Sequence, residues 1–303
     1  MIVAIGNPVY DFIQTPMIST KTRVLSGCST NACLVLRKLG YPNLCLVGNV
    51  GPDYRATFVR DMRRFGIGFD VRPSAETGGF RLVYDGTGDR TLEVLGVAGP
   101  VQHLPERWDG TRFVLFGPIL QEVSLELIRQ VRAATDAPFL LDPQGLVRAQ
   151  VGQRIVRRPN PRMSEIVPLF HVVKANEHEA QVMTGINPRQ DAHAAAEALY
   201  QMGCPITIVT LAEAGSVIYD GKAFYDIPAY RTVARDPTGA GDSYAGAFIF
   251  RYLQEVNPLD NLREVACFAS AVASVMVEHT GPAFPLTLEE AERRTEVLLN
   301  QTP

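Results

Sequence analysis

The chain has 303 residues, of which 46% are hydrophobic and 20% are charged, and its formal net charge is −3. This length fits one large domain or two modest ones, and the hydrophobic share supports a substantial core and excludes a disordered chain. The slightly acidic balance gives no electrostatic reason to expect nucleic acid or an anionic membrane as a partner.

Short apolar runs alternate with amphipathic stretches along the chain. The runs lack polar alternation, which is typical of strands covered on both faces; they lie at 2–5, 44–47, 113–116, 139–141, 171–173 and 206–211. Three of the amphipathic stretches end at a glycine suited to a left-handed helix stop; they are 31–39, 56–65 and 191–202. The pattern predicts a single α/β domain over 1–303 with a parallel sheet.

The segment from about 68 to 99 interrupts this alternation. Within it, 80–84 and 91–95 flank the turn-rich sequence 85–90, which is typical of a β-hairpin. Together with the extended residues 13–26, the segment 68–98 could form a small β lid inserted in the domain. Such a lid would cover a site at the carboxyl ends of the parallel strands, unless it is a surface hairpin without function.

Cysteine usage and hydropathy predict a soluble, cytoplasmic protein. The five cysteines are odd in number and show no Cys-x-x-Cys spacing, which favours reduced thiols over disulfides or a zinc site. No basic region precedes the strand-like run at 2–5, so a signal peptide is not expected. No apolar stretch approaches the roughly 18 residues that are needed to span a bilayer.

The segment 236–248 carries the chemistry. The small residues Gly239, Ala240 and Gly241 precede a helical run, and at a helix N-terminus the open N–H groups and the dipole favour an anion. Asp242 beside such an anion hole could accept a proton from an attacking hydroxyl group. Spacing alone would allow Asp242 equally to charge the first turn of a buried helix. Neither a Walker loop nor a Gly-x-Gly-x-x-Gly fingerprint occurs in the sequence.

The sequence from Asp236 to Asp242, DPTGAGD, closely resembles the C-terminal signature of the ribokinase-like (phosphofructokinase-B) carbohydrate kinases. The resemblance continues through 6–11, 26–31 and 48–53. It implies a ribokinase-like fold, in which a mostly parallel sheet is flanked by helices on both faces and carries a small β lid. It also implies a kinase for a ribose-, fructose- or inositol-like hydroxyl, with Asp242 as the general base.

The same resemblance assigns binding roles and implies ATP, Mg²⁺ and possible K⁺ as cofactors. The acceptor pocket would be lined by Asp11, Gly27 and Asn31. The nucleotide would be bound by Lys174, Asn176, Thr210, Gly215, His279 and Gly281. Glu179 would organise magnesium through water, and Asp236 and Thr238 would hold a monovalent cation.

Several of these residues also have structural interpretations. Asn176 and Glu179 can form a capping box at a helix start, and this role can coexist with metal binding. Lys174 could be a solvated charge, and His279 an ordinary loop residue. Arg148 follows the strand at 139–141 and could contact a phosphate or the acceptor, or simply pair with Asp142.

Alternative acceptors and functions remain open from the residues. The start at 6–8 is also reminiscent of adenosine kinases, and Phe12, Phe80 and Tyr84 could form a shelf for a nucleoside base. A non-catalytic nucleotide or sugar sensor is disfavoured, because a sensor needs no base. Ser26 and Ala56 replace glycines of the family pattern near the expected acceptor. The exposed edges of the lid could pair with a second subunit to form a homodimer.

Overall fold

The computed structural model describes residues 1–85 and 90–301. Its strands, β1 to β15 in chain order, are Ile2–Ile5, Val9–Gln14, Val24–Ser26, Leu44–Val50, Gly68–Pro73, Gly79–Tyr84, Arg90–Gly96, Phe113–Phe116, Phe139–Leu141, Arg148–Val151, Arg154–Arg157, Val172–Asn176, Ile206–Thr210, Ser216–Tyr219 and Phe224–Ile227. Its α-helices, α1 to α9, are Cys28–Lys38, Arg55–Phe65, Leu125–Ala134, Met163–Ile166, Glu177–Thr184, Ala192–Gln201, Ala240–Tyr252, Leu262–Val277 and Leu288–Leu299.

The larger sheet confirms the predicted α/β class. Its strand order is β15-β14-β13-β12-β9-β8-β1-β4-β5. Every pair from β13 through to β5 is parallel, whereas β14 and β15 extend the sheet as antiparallel strands. The predicted apolar runs all lie in this sheet, because parallel strands joined by helices are covered on both faces.

Side chains of the central strands alternate between two hydrophobic cores. In β1, Ile2 and Ala4 belong to the core that contains α1, α7 and α8. Val3 and Ile5 belong to the core on the opposite face, which contains α3. All four side chains are fully buried, which explains why the run shows no polar alternation.

The predicted helix stops are confirmed by backbone geometry. Gly40, Gly66 and Gly203 all have positive φ angles, and Gly66 is a left-handed C-cap with φ of 66°. A residue with a Cβ is strained in this conformation, so glycine favours ending the helix there. None of the helices within residues 1–85 and 90–301 combines the length and apolarity that a membrane span requires.

The second sheet has the strand order β10-β11-β7-β6-β2-β3. The predicted hairpin corresponds to β6 and β7, which pair antiparallel, although its turn at 86–89 lies outside the described residues. The composition of this sheet differs from the expectation in two ways. Gly68–Pro73 is an edge strand of the larger sheet, paired with β4. The hairpin of β10 and β11 joins the second sheet through β7.

Both differences have a physical reason. Gly68–Pro73 is largely solvent-facing, so it lacks the apolar run that marks an interior strand. The strands β10 and β11 have four residues each and carry three arginines between them, a pattern that local periodicity does not distinguish from a loop.

Candidate active site

A cavity of about 1000 Å³ lies between the larger sheet and the second sheet. Asp142 follows β9, and Asn176 and Thr210 end β12 and β13; all three line its wall, as does Lys174 within β12. The second sheet supplies Phe80 and Leu82 from β6. The position matches the general rule that parallel sheets bind ligands at the carboxyl ends of their strands.

The N-terminus of α7 forms the floor of this cavity. Gly239 caps the helix with φ of 82°, and Ala240, Gly241 and Asp242 form its first turn. The N–H of Ala240 donates to Pro237 O at 3.2 Å. No hydrogen bond joins the N–H of Gly241 or Asp242 to another of the described residues. The helix therefore presents open donors and the positive end of its dipole to the cavity.

Asp242 is held by a residue from a distant part of the chain. Asn31 Nδ2 donates to Asp242 Oδ2 at 2.8 Å. Asn31 lies in α1 and is buried, whereas Asp242 lines the cavity. This contact orients the Asp242 carboxylate through one of its two oxygens. The structure thus brings together two residues that the sequence assigns to the base and to the acceptor pocket.

The small residues at 239 and 241 are required by close neighbours. A Cβ at Gly239 would lie 2.9 Å from Asn31 Nδ2, and its φ angle already disfavours other residues. A Cβ at Gly241 would lie 2.8 Å from Lys174 Nζ. The ammonium group therefore sits directly beside the start of α7, where it adds positive charge to the anion site.

Lys174 forms a buried ion pair with Asp142. Lys174 Nζ donates to Asp142 Oδ2 at 2.5 Å, and both side chains are at most 3% exposed. Burial alone would lower the pKa of Lys174, but the neighbouring charges of Asp142 and Glu179 raise it, so the ammonium form persists. Lys174 is therefore a buried cation of the site and not a solvated charge. Asp142 pairs with this lysine and forms no ion pair with Arg148.

Asn176 and Glu179 form the capping box of α5. Asn176 Oδ1 accepts from the N–H of Glu179 at 2.9 Å, and the N–H of Asn176 donates to Glu179 Oε2 at 2.8 Å. Asn176 Nδ2 also donates to Glu179 Oε1 at 2.8 Å. Burial, followed by the charge of Asp142, raises the pKa of Glu179 to about 7. The carboxyl group lines the cavity, so its capping role does not remove it from the site.

Asp11 lies at the opposite end of the cavity, beneath the second sheet. Its Oδ1 accepts from the N–H of Phe80 at 2.7 Å, which ties β2 to β6. Burial raises the pKa of Asp11 to about 6. Gly27 and Ser26 line the cavity beside it. Ala56 is exposed on α2 and does not line the cavity, so its departure from the family pattern bears less directly on the acceptor.

Asp236 and Thr238 lie in the turn that precedes α7. Asp236 Oδ1 accepts from the N–H of Thr238 at 2.9 Å, and Asp236 Oδ2 is buried without a hydrogen-bond partner among the described residues. Burial raises the pKa of Asp236. An unpartnered buried carboxylate oxygen fits a cation, because an oxygen without a donor is costly to bury. Thr238 Oγ1 is hydrogen-bonded to the hydroxyl of Tyr84 at 2.9 Å.

The remaining predicted nucleotide residues separate into two groups. Asn176, Thr210 and Gly215 line the cavity, and a Cβ at Gly215 would lie 2.0 Å from Ile227 O. His279 and Gly281 are not part of the cavity wall within the described ranges. Because α8 continues to Val277, the last turns of that helix form the wall in place of the loop that follows.

Sequence reasoning missed two residues of the site. Cys28 begins α1, and its Sγ lies with carboxylate oxygens of Asp142 and Asp242 in a group whose atoms are all within 4.8 Å of one another. Burial, and then those two negative charges, raise the pKa of Cys28, so it is a neutral thiol. Arg90 lines the cavity from β7 and donates to the hydroxyl of Tyr84 at 2.5 Å. Neither residue carries a local signal, because each is defined by contacts across the fold.

Comparisons with known proteins relate the chain to a family of kinases. A family model described as pfkB family carbohydrate kinase matches residues 1–289. The cytidine kinase of Thermococcus kodakarensis is 26% identical and aligns over 83% of this chain and 88% of its own. The nucleoside kinase of Methanothermobacter thermautotrophicus is also 26% identical, and the alignment covers 97% of this chain and 95% of that protein. The solved structure of a pyrophosphate-dependent kinase in the ribokinase family superposes with a TM-score of 0.81 at 22% identity. The superposition covers 96% of this chain and 99% of that one.

Proposed function

The chain belongs to the pfkB family of carbohydrate kinases, and we propose that it transfers the γ-phosphate of ATP to a hydroxyl group of a sugar or polyol, with Asp242 as the general base. Membership makes the protein a phosphotransferase with an alcohol group as acceptor. The observation that carries the finer assignment is the contact between Asn31 and Asp242, at the helix end where Lys174 also lies.

In the proposed reaction the acceptor hydroxyl lies between Asp11 and Asp242. Asn31 occupies one oxygen of the Asp242 carboxylate, so the other oxygen takes the hydroxyl proton as the new O–P bond forms. The open N–H groups at the start of α7 and the Lys174 ammonium group stabilise the charge on the transferred phosphoryl group. The bond to the β-phosphate breaks, and ADP leaves.

The carboxylates of the site fit a magnesium ion. Asp142 and Asp242 bring oxygen atoms within 4.8 Å of each other, and oxygen ligands are those that magnesium prefers. Both carboxylate oxygens of Glu179 already accept hydrogen bonds from Asn176. Glu179 would therefore contact a magnesium ion through a water molecule. When bound, the ion would neutralise phosphate charge. By the same reasoning, the unpartnered Asp236 Oδ2 supports a monovalent cation such as K⁺ in the turn before α7.

The test is the substitution Asp242→Asn. Loss of a general base lowers kcat by about 10²- to 10⁴-fold, and we expect this loss in an assay that couples ADP release to acceptor phosphorylation. Asp191→Asn is the matched control, since Asp191 is also at the start of a helix but caps α6, where Asn caps equally well. Unchanged turnover in Asp242→Asn would falsify the assignment of the base.

A nucleoside kinase is the second candidate. The cytidine and nucleoside kinases named above align over nearly their full lengths, which favours this candidate. Phe80 and Tyr84 line the cavity, as a base-binding shelf requires, whereas Phe12 lies under the guanidinium of Arg81 outside the cavity wall. Phosphorylation of adenosine, inosine or cytidine, measured against ribose, fructose and myo-inositol, separates the two candidates.

The proposed enzyme also pairs with a second copy of itself through the second sheet. The strand β10 is an edge of that sheet, and Val151 on it is 51% exposed. An unpaired edge with an apolar side chain is suited to pairing with another chain.

A further inference from the structure

Arg294 joins two parts of the cavity wall from behind. It lies in α9, and none of the described residues of that helix belongs to the wall. Its Nη1 donates to Ser274 Oγ of α8 at 2.9 Å, and its guanidinium carbon lies 4.7 Å from the centre of the Tyr230 ring. Ser274 and Tyr230 both line the cavity. One buried guanidinium group therefore fixes two parts of the wall relative to each other.

Glu278 extends this contact to a third wall residue. Its carboxylate, at the C-terminal cap of α8, accepts from Arg294 Nη1 at 2.8 Å and from Arg294 Nη2 at 3.1 Å. The hydroxyl group of Thr232, which lines the cavity, donates to the same carboxylate. Burial alone would raise the pKa of Glu278, but the hydrogen bonds from Arg294 and Thr232 lower it, so the carboxylate form persists. A two-point contact between a guanidinium and a carboxylate has a fixed geometry.

The loop at 228–235 depends on these contacts for its position. It contains no helix or strand and lies between β15 and α7. Its two ends are held by α8, because Ser270 Oγ donates to Pro228 O at 2.9 Å and the N–H of Arg235 donates to Val277 O at 2.7 Å. Between these ends, the loop rests on the arginine–glutamate pair. The pair therefore sets where the middle of the loop lies.

This loop flanks the end of the cavity that we assign to the nucleotide. A Cβ at Gly215 would lie 3.0 Å from Ala229 N, so the loop begins directly beside the turn that follows β13. Thr210 and Gly215, to which we assign nucleotide binding, line the cavity at that turn. Asp11, on the proposed acceptor side, lies beneath the second sheet and is bonded to Phe80. Displacement of the loop should therefore affect the nucleotide more than the acceptor.

Building on the proposed kinase function, we propose that Arg294 is a positioning residue for the donor nucleotide, acting through Glu278 and Tyr230 to hold the loop at 228–235 against the end of α8. It lies behind the wall and would touch neither substrate. A loop that is already ordered does not lose conformational entropy when the nucleotide binds, so binding is stronger and the chemical step is unchanged. Loss of the contact should then raise the KM of ATP and leave kcat almost unaltered.

The experiment measures initial rates of the full chain while ATP and the acceptor are varied separately. The acceptor is the one that gives the highest rate among ribose, fructose, myo-inositol and cytidine. Arg294→Gln should raise the KM of ATP by about 5- to 30-fold, and should change kcat and the KM of the acceptor by less than about 2-fold. Arg294→Lys should raise the KM of ATP less, because one charged contact to Glu278 remains.

A double-mutant cycle separates positioning from a general loss of stability. Glu278→Ala changes a partly exposed residue and should raise the KM of ATP by itself, even if Arg294→Gln does not fold. In the double variant, the rise should fall well short of the product of the two single effects, since both substitutions remove the same contact. Arg263→Gln is the control, because Arg263 also ties α8 to the end of α9, through Leu299 O at 3.3 Å, but lies outside the described cavity wall.

The possible outcomes separate this inference from the kinase function. An unchanged KM of ATP in Glu278→Ala and in folded Arg294→Gln overturns the inference and leaves the kinase function intact. The same conclusion follows if the two effects multiply fully, if Arg263→Gln raises the KM of ATP equally, or if kcat falls while that KM stays constant. A wild-type protein that phosphorylates none of the acceptors overturns the kinase function and this inference together.

Discussion

At the residue scale, the role of Asp242 depends on its partners. Its place in the first turn of α7 is equally compatible with a structural carboxylate and with a base. The hydrogen bond from Asn31, 211 positions away in the chain, orients it towards the cavity. Lys174 supplies a buried positive charge beside the same helix end. These two contacts, which a simple helix cap would not require, support the proposed role of Asp242 as the base.

Glu179 makes a prediction about pH. The pKa of Glu179 is raised to about 7, and the pKa of Asp11 is raised to about 6. If both carboxylates act in ionised form, kcat/KM should rise with pH and level off above an apparent pKa near 7. In Glu179→Gln the side-chain amide oxygen can still accept the capping hydrogen bond from the N–H of Asn176. The apparent pKa of the rise in kcat/KM should then move to near 6, the value for Asp11. A pH–rate profile of both proteins, taken with saturating magnesium, checks this.

The same carboxyl group has a stability signature. The pKa of Glu179 in the folded state is about 7, above the usual value of 4.5. Between these two pH values the folded state binds the proton more tightly than the unfolded chain, so the free energy of unfolding falls as pH rises from 4.5 to 7. Urea unfolding of the wild type should show this decline, and Glu179→Gln should show less of it. Identical pH dependence of the unfolding free energy in both proteins would contradict the raised pKa.

At the scale of elements, the site depends on how closely α7 approaches α1. A Cβ at Gly246 would lie 2.8 Å from the carbonyl oxygen of Ala32, so the two helices pack backbone to backbone. This contact lies one helical turn beyond Asp242 and close to Asn31 along α1. The distance between the two helices therefore decides whether the Asn31–Asp242 hydrogen bond forms.

Gly246→Ala should separate these helices. Overpacking against a backbone atom costs about 1–3 kcal/mol, and the better helix propensity of alanine offsets about 1 kcal/mol of it. We expect a net loss of up to about 2 kcal/mol in urea unfolding, together with a lower kcat. Gly99→Ala is the control, since its Cβ would meet Ser74 Oγ at 3.6 Å and fits without strain. Equal stability of both variants would show that the helices can move apart freely.

The buried ion pair between β9 and β12 gives a second prediction at this scale. Lys174→Met leaves Asp142 buried without its cation, and such a change costs about 3–5 kcal/mol. The double variant Lys174→Met, Asp142→Asn should recover much of the unfolding free energy, because neither charge then remains, but it should not recover turnover. Lys222→Met, at an exposed position, is the control. Recovery of full activity in the double variant would show that the pair is purely structural.

At the scale of the whole molecule, function comes from the two sheets facing each other across one cavity. The larger sheet supplies Lys174 to the cavity wall, and the second sheet supplies Asp11 from β2 and Arg90 from β7. The hydrogen bond between Tyr84 and Thr238 joins the second sheet to the turn that precedes α7. This arrangement suits a lid that closes over substrates and excludes water.

The proposed dimer is tested at this scale. Val151→Lys places a charge on the exposed edge strand β10 and should halve the mass that light scattering reports at micromolar concentration. Val256→Lys is the matched control, since Val256 is 94% exposed and lies outside the second sheet. A wild-type protein with the mass of one chain would exclude pairing through this edge under those conditions.

The amino-acid sequence alone determined the alternation of strands and helices, the glycine helix stops and the small-residue start of α7. These features follow from local periodicity and local backbone preference, which nearby residues encode. For the same reason, the capping box of Asn176 and Glu179 was readable at a separation of three residues.

Only the tertiary structure decided which distant residues meet. Lys174 paired with Asp142 and not with solvent, so Asp142 forms no ion pair with Arg148. The hairpin of β10 and β11 joined β7, where Arg154 pairs with Glu93, 61 positions earlier in the chain. Such contacts leave no local period, because they depend on strand order and on the packing of whole elements. Asp242 therefore acquired its proposed role as a base from Asn31 and Lys174, which the fold brings to the same end of α7.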